Sequence, residues 1–430
     1  MEIARNKYLE MLTLRKHNGF IKVITGIRRC GKSYLLNEIF YNDLLKNGIQ
    51  ENHIIKFAFD SAKDLTLIGE DLQKLNKNRQ KVNPKKFLEY IESKIVDNNM
   101  YYLLLDEVQN LDCFETILNG YLREKNLDVY VTGSNSKFLS KDVLTEFAGR
   151  GDEIHVFPLS FSEFYSFSNG NLDYAFDEYM TYGGLPAIAL MKTEEQKVNY
   201  LKTQIKNVYL KDIVERNHLF SDENIEELLS VIASGIASLT NPSKLANTFK
   251  SVKKSTISAN TINSYINYMQ DAFILSKVNR YDLKGKKYIN SPYKIYFEDV
   301  GLRNAQLDFR QIENTHLMEN VIYNELRYRG YHVDVGVVNT KENKDGIFKR
   351  KQLEIDFVAN LGSKRYYIQS AYDIPDEEKM QQETKSFDKT RDSFKKIVIV
   401  EKSMKPRRTE KGYLMLGIKE FLLNPNSLEL

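Results

Sequence analysis

Residues Gly26-Ile27-Arg28-Arg29-Cys30-Gly31-Lys32-Ser33 follow the strand-like run Ile21-Lys22-Val23-Ile24-Thr25 and lead into the apolar, helix-compatible Tyr34-Leu35-Leu36-Asn37-Glu38-Ile39-Phe40. Two glycines allow backbone conformations in which successive N–H groups surround a phosphate. The helix that follows points its positive dipole end at the same anion. This is a P-loop, in which Lys32 is placed to reach β- and γ-phosphates and the Ser33 hydroxyl to ligate Mg²⁺. Gly26, Ile27, Arg28, Arg29, Cys30, Gly31, Lys32, Ser33 and Tyr34 therefore form the expected binding segment. An ordinary glycine turn is the bland alternative, and the strand before and helix after argue against it.

The chain has 430 residues, which predicts about three domains, each able to bury its own core. Its net charge of +4, from 62 basic and 58 acidic side chains, is too mild to point to nucleic acid, so such a partner must rest on local clusters. Two cysteines, Cys30 and Cys113, make no disulfide framework and no metal-ligand spacing, and a reducing cytoplasm is the expected compartment. The first residues mix Glu2, Arg5, Lys7 and Glu10 with apolar ones, unlike a secretory signal. No stretch reaches the ~18 apolar residues of a membrane span, so none is expected.

Apolar runs over 53–59, 100–105, 127–131 and 153–157 predict further strands of the first domain, most of them separated by helical stretches. Such alternation implies a parallel, three-layer α/β sheet with ligands at the carboxyl ends of the strands. Tyr101-Tyr102-Leu103-Leu104-Leu105 is apolar throughout, as in a strand covered on both faces, and stops at Asp106-Glu107. This reads as a Walker B element, with Asp106 holding Mg²⁺ through water and Glu107 orienting or deprotonating the attacking water. The run after Val131, Thr132-Gly133-Ser134-Asn135-Ser136, puts a polar side chain at the mouth of the sheet. Asn135 is the candidate γ-phosphate sensor, Ser134 its alternate, and an Asx turn the competing reading. A helix over 137–148 should end at Gly149-Arg150-Gly151, so Arg150 stands at a helix end. Two readings of Arg150 remain open: a finger reaching the nucleotide of a neighbouring subunit, or a C-terminal arginine satisfying helix carbonyls.

These features resemble the AAA+ ATPases, specifically the bacterial and archaeal ATP-binding proteins in which an AAA core precedes a C-terminal domain of unknown function. The P-loop segment, Leu105-Asp106-Glu107-Val108-Gln109 and Val131-Thr132-Gly133-Ser134-Asn135-Ser136 carry the resemblance. So do Phe157-Pro158-Leu159-Ser160-Phe161-Ser162-Glu163-Phe164, Tyr182-Gly183-Gly184-Leu185-Pro186 and Tyr296-Phe297-Glu298-Asp299-Val300-Gly301-Leu302-Arg303-Asn304. The resemblance implies that the core binds ATP with Mg²⁺ through Lys32, Ser33, Asp106 and Glu107. ATP is favoured over GTP because no Asn-Lys-x-Asp element follows a late strand of the core, and Asn343-Lys344-Asp345 is misspaced and distant.

The expected domains are an ATPase core over 1–158, a helical lid over 159–220, a winged-helix-like domain over 221–303 and a nuclease-like α/β domain over 304–430. Within the lid, helices are expected over 162–167, 172–181 and 194–216, and Tyr182-Gly183-Gly184-Leu185-Pro186 should form a turn and an extended step. Lys211 and Arg216 are the available cations for a second sensor, and a charged surface helix explains them equally. In the third region, helical stretches over 224–234, 243–250 and 259–272 precede apolar runs over 273–278 and 293–297, with a loop over 280–287 as the wing. Lys250, Lys253, Lys254, Lys284, Lys286 and Lys287 could contact a DNA backbone. Residues 255–270 carry no arginine, which weakens base reading and leaves protein packing as an equal alternative.

The last region resembles the PD-(D/E)xK nucleases, in which a helix acid, a strand acid and a Glu-x-Lys triplet gather metal ions for phosphodiester cleavage. Helices over 318–329 and 377–387 and strands over 331–338, 353–359, 365–370 and 396–401 give the order. Glu319 or Glu325 would be the helix acid and Asp356 the strand acid, but Gln369 and Ala371 stand where the triplet needs Glu and Lys. A nuclease-like fold without nuclease activity is expected, its basic stretches Lys349-Arg350-Lys351 and Lys405-Pro406-Arg407-Arg408 still able to grip phosphates. The leading expectation is an Mg²⁺-dependent ATPase that couples nucleotide state to the C-terminal region on DNA. The rivals are a slow-turnover switch recruiting a protein partner, and an ATP-dependent nuclease. Self-assembly into a homo-oligomer is the setting in which Arg150 would act.

Overall fold

The computed structural model describes residues 3–430 apart from 79, 134–146, 148, 169, 220–222, 254–256, 345–346 and 391. Strand β1 (Ile21–Thr25) is buried along its whole length, as its apolar run requires. It lies inside a sheet with β2 (Ile54–Ala58), β3 (Tyr101–Asp106), β4 (Leu127–Thr132) and β5 (Gly151–His155), in the order β2-β3-β4-β1-β5. Every neighbouring pair is parallel. Parallel strands need helical crossovers, and these cover both faces, which is why β3 can be buried at all six positions. One face packs Val23, Phe57, Leu103 and Val131 against Phe87, Leu118 and Phe147. Between these apolar layers Lys22 is fully buried and satisfied by Asp128, which also accepts from the Tyr130 hydroxyl at 2.9 Å. The helix expected over 137–148 lies outside the described residues, save for Phe147 and the exposed turn that precedes Arg150.

The expected fifth strand, 153–157, is shifted toward the amino end. Its pairing starts with Ile21 opposite Gly151 and ends with Thr25 opposite His155. Phe157 leaves the ladder because the N-terminal segment captures it: Arg5 Nη2 donates to its carbonyl at 2.6 Å and its N–H donates to Tyr8 Oη at 3.0 Å.

Contacts divide the chain into two units, Met1–Pro158 with Asp271–Phe273, and Leu159–Gln270 with Ile274–Leu430. The second unit begins at a capping box, in which Ser160 accepts from the Glu163 N–H and Glu163 accepts from the Ser160 N–H. Helix Leu172–Tyr182 follows, and a helical run continues from Glu194–Thr203 through 204–210 into Lys211–Arg216. The extended step expected after Gly184 is one residue long: Leu185 is extended, as a residue before proline must be, and Pro186 opens a short helix, Pro186–Leu190.

Strands β6 (Leu275–Asp282) and β7 (Lys287–Phe297) form the hairpin expected as a wing, but both are longer than expected. The 280–287 loop shrinks to a turn because Arg280 and Asp282 pair with β7 on one side and β8 (His332–Lys344) on the other. The same sheet then takes in β9 (Ile347–Leu361), β10 (Lys364–Ala371), β11 (Lys395–Val400), β12 (Arg407–Arg408) and β13 (Leu414–Gly417), in the order β12-β13-β11-β10-β9-β8-β6-β7. One continuous sheet therefore crosses position 303, where the sequence suggested a boundary. Helix Glu377–Thr384 is shorter than the expected 377–387.

The two glycine-bearing segments of this unit meet in its interior. Asp299 caps helix Val300–Gln306, accepting from Leu302 N at 3.1 Å, and also accepts from Gly184 N at 2.7 Å. A Cβ on Gly183 would stand 2.2 Å from Asp299 Oδ1, and one on Gly301 would stand 2.0 Å from the Tyr182 carbonyl oxygen. The Asn304 amide donates to the Met180 and Thr181 carbonyls at 3.0 and 2.9 Å, ending helix Leu172–Tyr182 against this contact. Burial pushes the Asp299 carboxyl up to about 6, against the opposing effect of the backbone N–H groups of Gly184, Leu302 and Gly301. That lies above the ~3.9 of an unfolded aspartate, so the folded chain holds this proton more tightly. The stabilisation is complete below about pH 4 and is lost as pH rises through 6. Asp299→Asn should consequently unfold more readily than wild type at pH 5, with the gap narrowing by about 1.4 kcal/mol by pH 7.5. Parallel urea melts at the two pH values check this; a gap that widens would refute it.

Candidate nucleotide site

The site begins where β1 stops. Gly26 has φ 135°, and a Cβ there would lie 2.1 Å from the Val156 carbonyl oxygen, so only glycine lets the chain leave the sheet at this angle. Arg29 and Gly31 are also left-handed, at φ 62° and 99°. Alternation of this kind turns the loop back on itself, and Leu35 N bonds Gly31 O at 2.9 Å as the helix over 32–46 starts. Its second to third turns, Leu35–Phe40, are π-helical. Ile27 and Cys30 anchor the loop in the core, whereas Ser33 and Tyr34 are exposed. Lys32 is buried, and its ammonium donates to the Gly26 and Ile27 carbonyls at 2.9 and 3.0 Å.

Asp106 sits at the carboxyl end of β3, across from this loop. Its Oδ1 accepts from the Ser33 hydroxyl at 3.1 Å and from the Thr132 hydroxyl, and its Oδ2 accepts from the Asn37 amide at 3.3 Å. Burial raises the Asp106 pKa, the hydrogen bonds from Thr132 and Ser33 pull it back, and Glu107 adds to the rise. Thr132 also accepts the Glu107 N–H at 3.0 Å, holding that residue in the left-handed region at φ 52°. The half-buried Glu107 carboxylate takes a hydrogen bond from the Gln109 amide. Asp60 follows β2, whose Ala58 pairs with Asp106. Crowding by surrounding protein, then repulsion from Glu107 and Asp106, raises its carboxyl above the usual range, although it stays open to solvent and Arg28 opposes the rise.

Ser33, Lys32, Asp106 and Glu107 are thus gathered at one edge of the sheet. Ser134 and Asn135 lie outside the described residues. Arg150 is exposed at the amino end of β5, and its carbonyl accepts from Ile21 N at 3.0 Å. Five strand residues, about 17 Å, separate that end from the edge that carries Asp106. Lys211 pairs with Glu215 at 3.8 Å on an exposed helix face, and the Arg216 side chain is outside the described residues. Sequence reasoning passed over Asp60, and quoted Asn37, Gln109 and Thr132 without giving them a role. Thr132 had a readable signal, a hydroxyl residue closing an apolar strand beside the acids. In the second unit, Glu325 is bound to Arg329 at 2.7 Å, which leaves Glu319 as the helix carboxylate that shares a partner with Asp356.

A serine hydroxyl 3.1 Å from a carboxylate is an oxygen-only pair that suits a hard cation such as Mg²⁺. Among the described residues no three His, Cys, Asp or Glu side chains are grouped to hold a metal, and no helix is long and apolar enough to cross a membrane.

Comparison with known proteins follows the same division. Residues 18–165 match a family described as an AAA domain, and residues 173–313 match a domain of unknown function. An uncharacterized protein of Haemophilus influenzae is 32% identical over 93% of this chain and 94% of its own length. An uncharacterized protein of Methanocaldococcus jannaschii is 28% identical over 86% of this chain and 78% of its own. The Aeropyrum pernix ORC1 protein, solved in complex with DNA, is 10% identical over 71% of this chain and 92% of that chain, with a TM-score of 0.28, a likeness too slight to argue from.

Thr132→Val keeps the shape of the residue but removes the donor to Asp106 and the acceptor for Glu107 N–H. It should lower the stability of the first unit by about 1–3 kcal/mol in denaturant melts, and an unchanged midpoint would show the two bonds to be unimportant.

Proposed function

Because the chain belongs to the AAA+ ATPases that carry a C-terminal domain of unknown function, we propose that it binds ATP with Mg²⁺ in the loop over 26–34 and hydrolyses it. The observation that supports this reading is the convergence on Asp106 of hydroxyls from the loop helix and from β4, with Glu107 held beside it. Arriving phosphates would take the Lys32 ammonium away from the Gly26 and Ile27 carbonyls. Ser33 and Asp106 would hold the metal, which when bound draws charge from the β- and γ-phosphates. Glu107 would take a proton from the attacking water, its carboxylate oriented by Gln109 and its backbone by Thr132. Asn135 is assigned to γ-phosphate sensing. Arg150, at the opposite edge of its own sheet, is assigned to the site of a neighbouring subunit.

We assign 159–220 to a lid and 221–303 to a winged-helix-like region that shares its hairpin with the sheet of the last region and responds to nucleotide state. Exposed Lys284, Lys286, Lys287, Arg350, Lys351, Arg407 and Arg408 suit a phosphate backbone, and DNA is the proposed partner. Lys32→Ala should abolish ATP binding in calorimetry. Glu107→Gln should retain binding and lose about 10²-fold or more of turnover; wild-type turnover in that variant would remove Glu107 from the mechanism. Turnover measured with and without single- and double-stranded DNA tests the partner, and indifference to both would sink it.

A further inference from the structure

The nuclease-like pattern lacks its lysine in sequence, yet a lysine arrives from elsewhere. Lys294 lies on β7, upstream of helix Asn314–Tyr328, and is 3% exposed. Its ammonium stands 2.8 Å from Glu319 Oε1, 2.7 Å from Glu354 Oε1 and 3.3 Å from Asp356 Oδ1. Two of its N–H donors go to Glu319 and Asp356, and Glu354 completes the surround as an ion pair. The carboxylates have further donors. Tyr296 Oη donates to Glu319 Oε1 at 2.6 Å, and Ser370 N donates to Asp356 Oδ2 at 2.9 Å. The antiparallel register that pairs Ile368 with Phe357 puts Gln369 opposite Asp356, on the same face of the sheet. Gln369 is 9% exposed and its Oε1 has no hydrogen-bond partner, so a neutral oxygen is buried beside the carboxylates with nothing to accept from.

Three carboxylates around one ammonium leave an excess of negative charge. Burial, reinforced by Asp356, raises the Glu319 carboxyl above its ordinary value despite the opposing charge of Lys294. A carboxylate set with a buried neutral oxygen is the donor chemistry of a hard divalent cation. Nevertheless, among the described residues these acids are not grouped as metal ligands. They are arranged about nitrogen instead.

We propose that the Lys294 ammonium has taken the place of a divalent cation in this nuclease-like centre, so that the site is filled from within and opens to a metal only when that side chain is removed. The lysine would thereby tie β7 to helix Asn314–Tyr328 and to β9, and the centre would hold the fold together without cutting phosphodiesters.

Terbium luminescence sensitised through tyrosine reads the cation directly, with Tyr296 hydrogen-bonded to a would-be ligand and no tryptophan in the chain. Nucleotide-free wild type should give no saturable signal that Asp356→Asn abolishes. Lys294→Met should gain one at micromolar terbium, lose it when Asp356→Asn is added, and melt at a higher temperature with Ca²⁺ than with chelator. Lys294→Met leaves buried acids uncompensated, so Lys294→Met with Glu354→Gln, which removes one surplus charge, serves as a second host for the same titration. Two results would overturn the proposal: a wild-type signal that depends on Asp356, which makes the centre a working metal site, or folded lysine variants that bind terbium no better than wild type. A wild-type signal that depends on Asp356 overturns it even if neither variant folds.

Discussion

The Asp106 carboxylate is the point on which the first unit turns. A buried carboxylate is tolerated only when donors surround it, and these come from the loop helix, through Ser33 and Asn37, and from the end of β4, through Thr132. Such convergence needs β4 between β3 and β1, which is the order the sheet adopts. Sheet topology and site chemistry are therefore one problem. A slip of one residue in β3 would send Asp106 to the other face and leave three donors without their acceptor.

The second unit is organised by a different constraint, the close approach of backbone to backbone. Gly183 and Gly301 let helix Leu172–Tyr182 end directly against helix Val300–Gln306, and Asp299 and Asn304 satisfy the polar groups that this approach buries. Segments that look like functional motifs in the sequence thus have a packing explanation. Fully buried Arg303 extends it by donating to the Ala233 carbonyl at 2.9 Å, which ties a third helix to the same place.

What could be read in the sequence was local. The P-loop and the apolar run into Asp106-Glu107 declare themselves because glycine geometry, strand burial and acid placement all lie within a few residues of one another. The fifth strand was misplaced by two residues because Arg5 and Tyr8, far earlier in the chain, withdraw Phe157 from the ladder. The β6–β7 hairpin was cut too short because polar Arg280 and Asp282 gave no strand signal; their pairing with β8 is a long-range fact. Lys294 was invisible for the same reason. One lysine in Ser291-Pro292-Tyr293-Lys294-Ile295 reads as an ordinary solvated side chain until Glu319, Glu354 and Asp356 are folded around it.

The ammonium of Lys32, resting on the Gly26 and Ile27 carbonyls, has a bearing on how occupancy of the loop is controlled. Under the proposed function, a triphosphate would compete with two peptide oxygens for the same donor, and its net gain would be the difference between two sets of bonds rather than the whole of one. Under that reading selectivity follows, because a weakly charged or poorly shaped anion would lose that exchange, whereas a ligand that also engages the helix start and the neighbouring hydroxyl would win it.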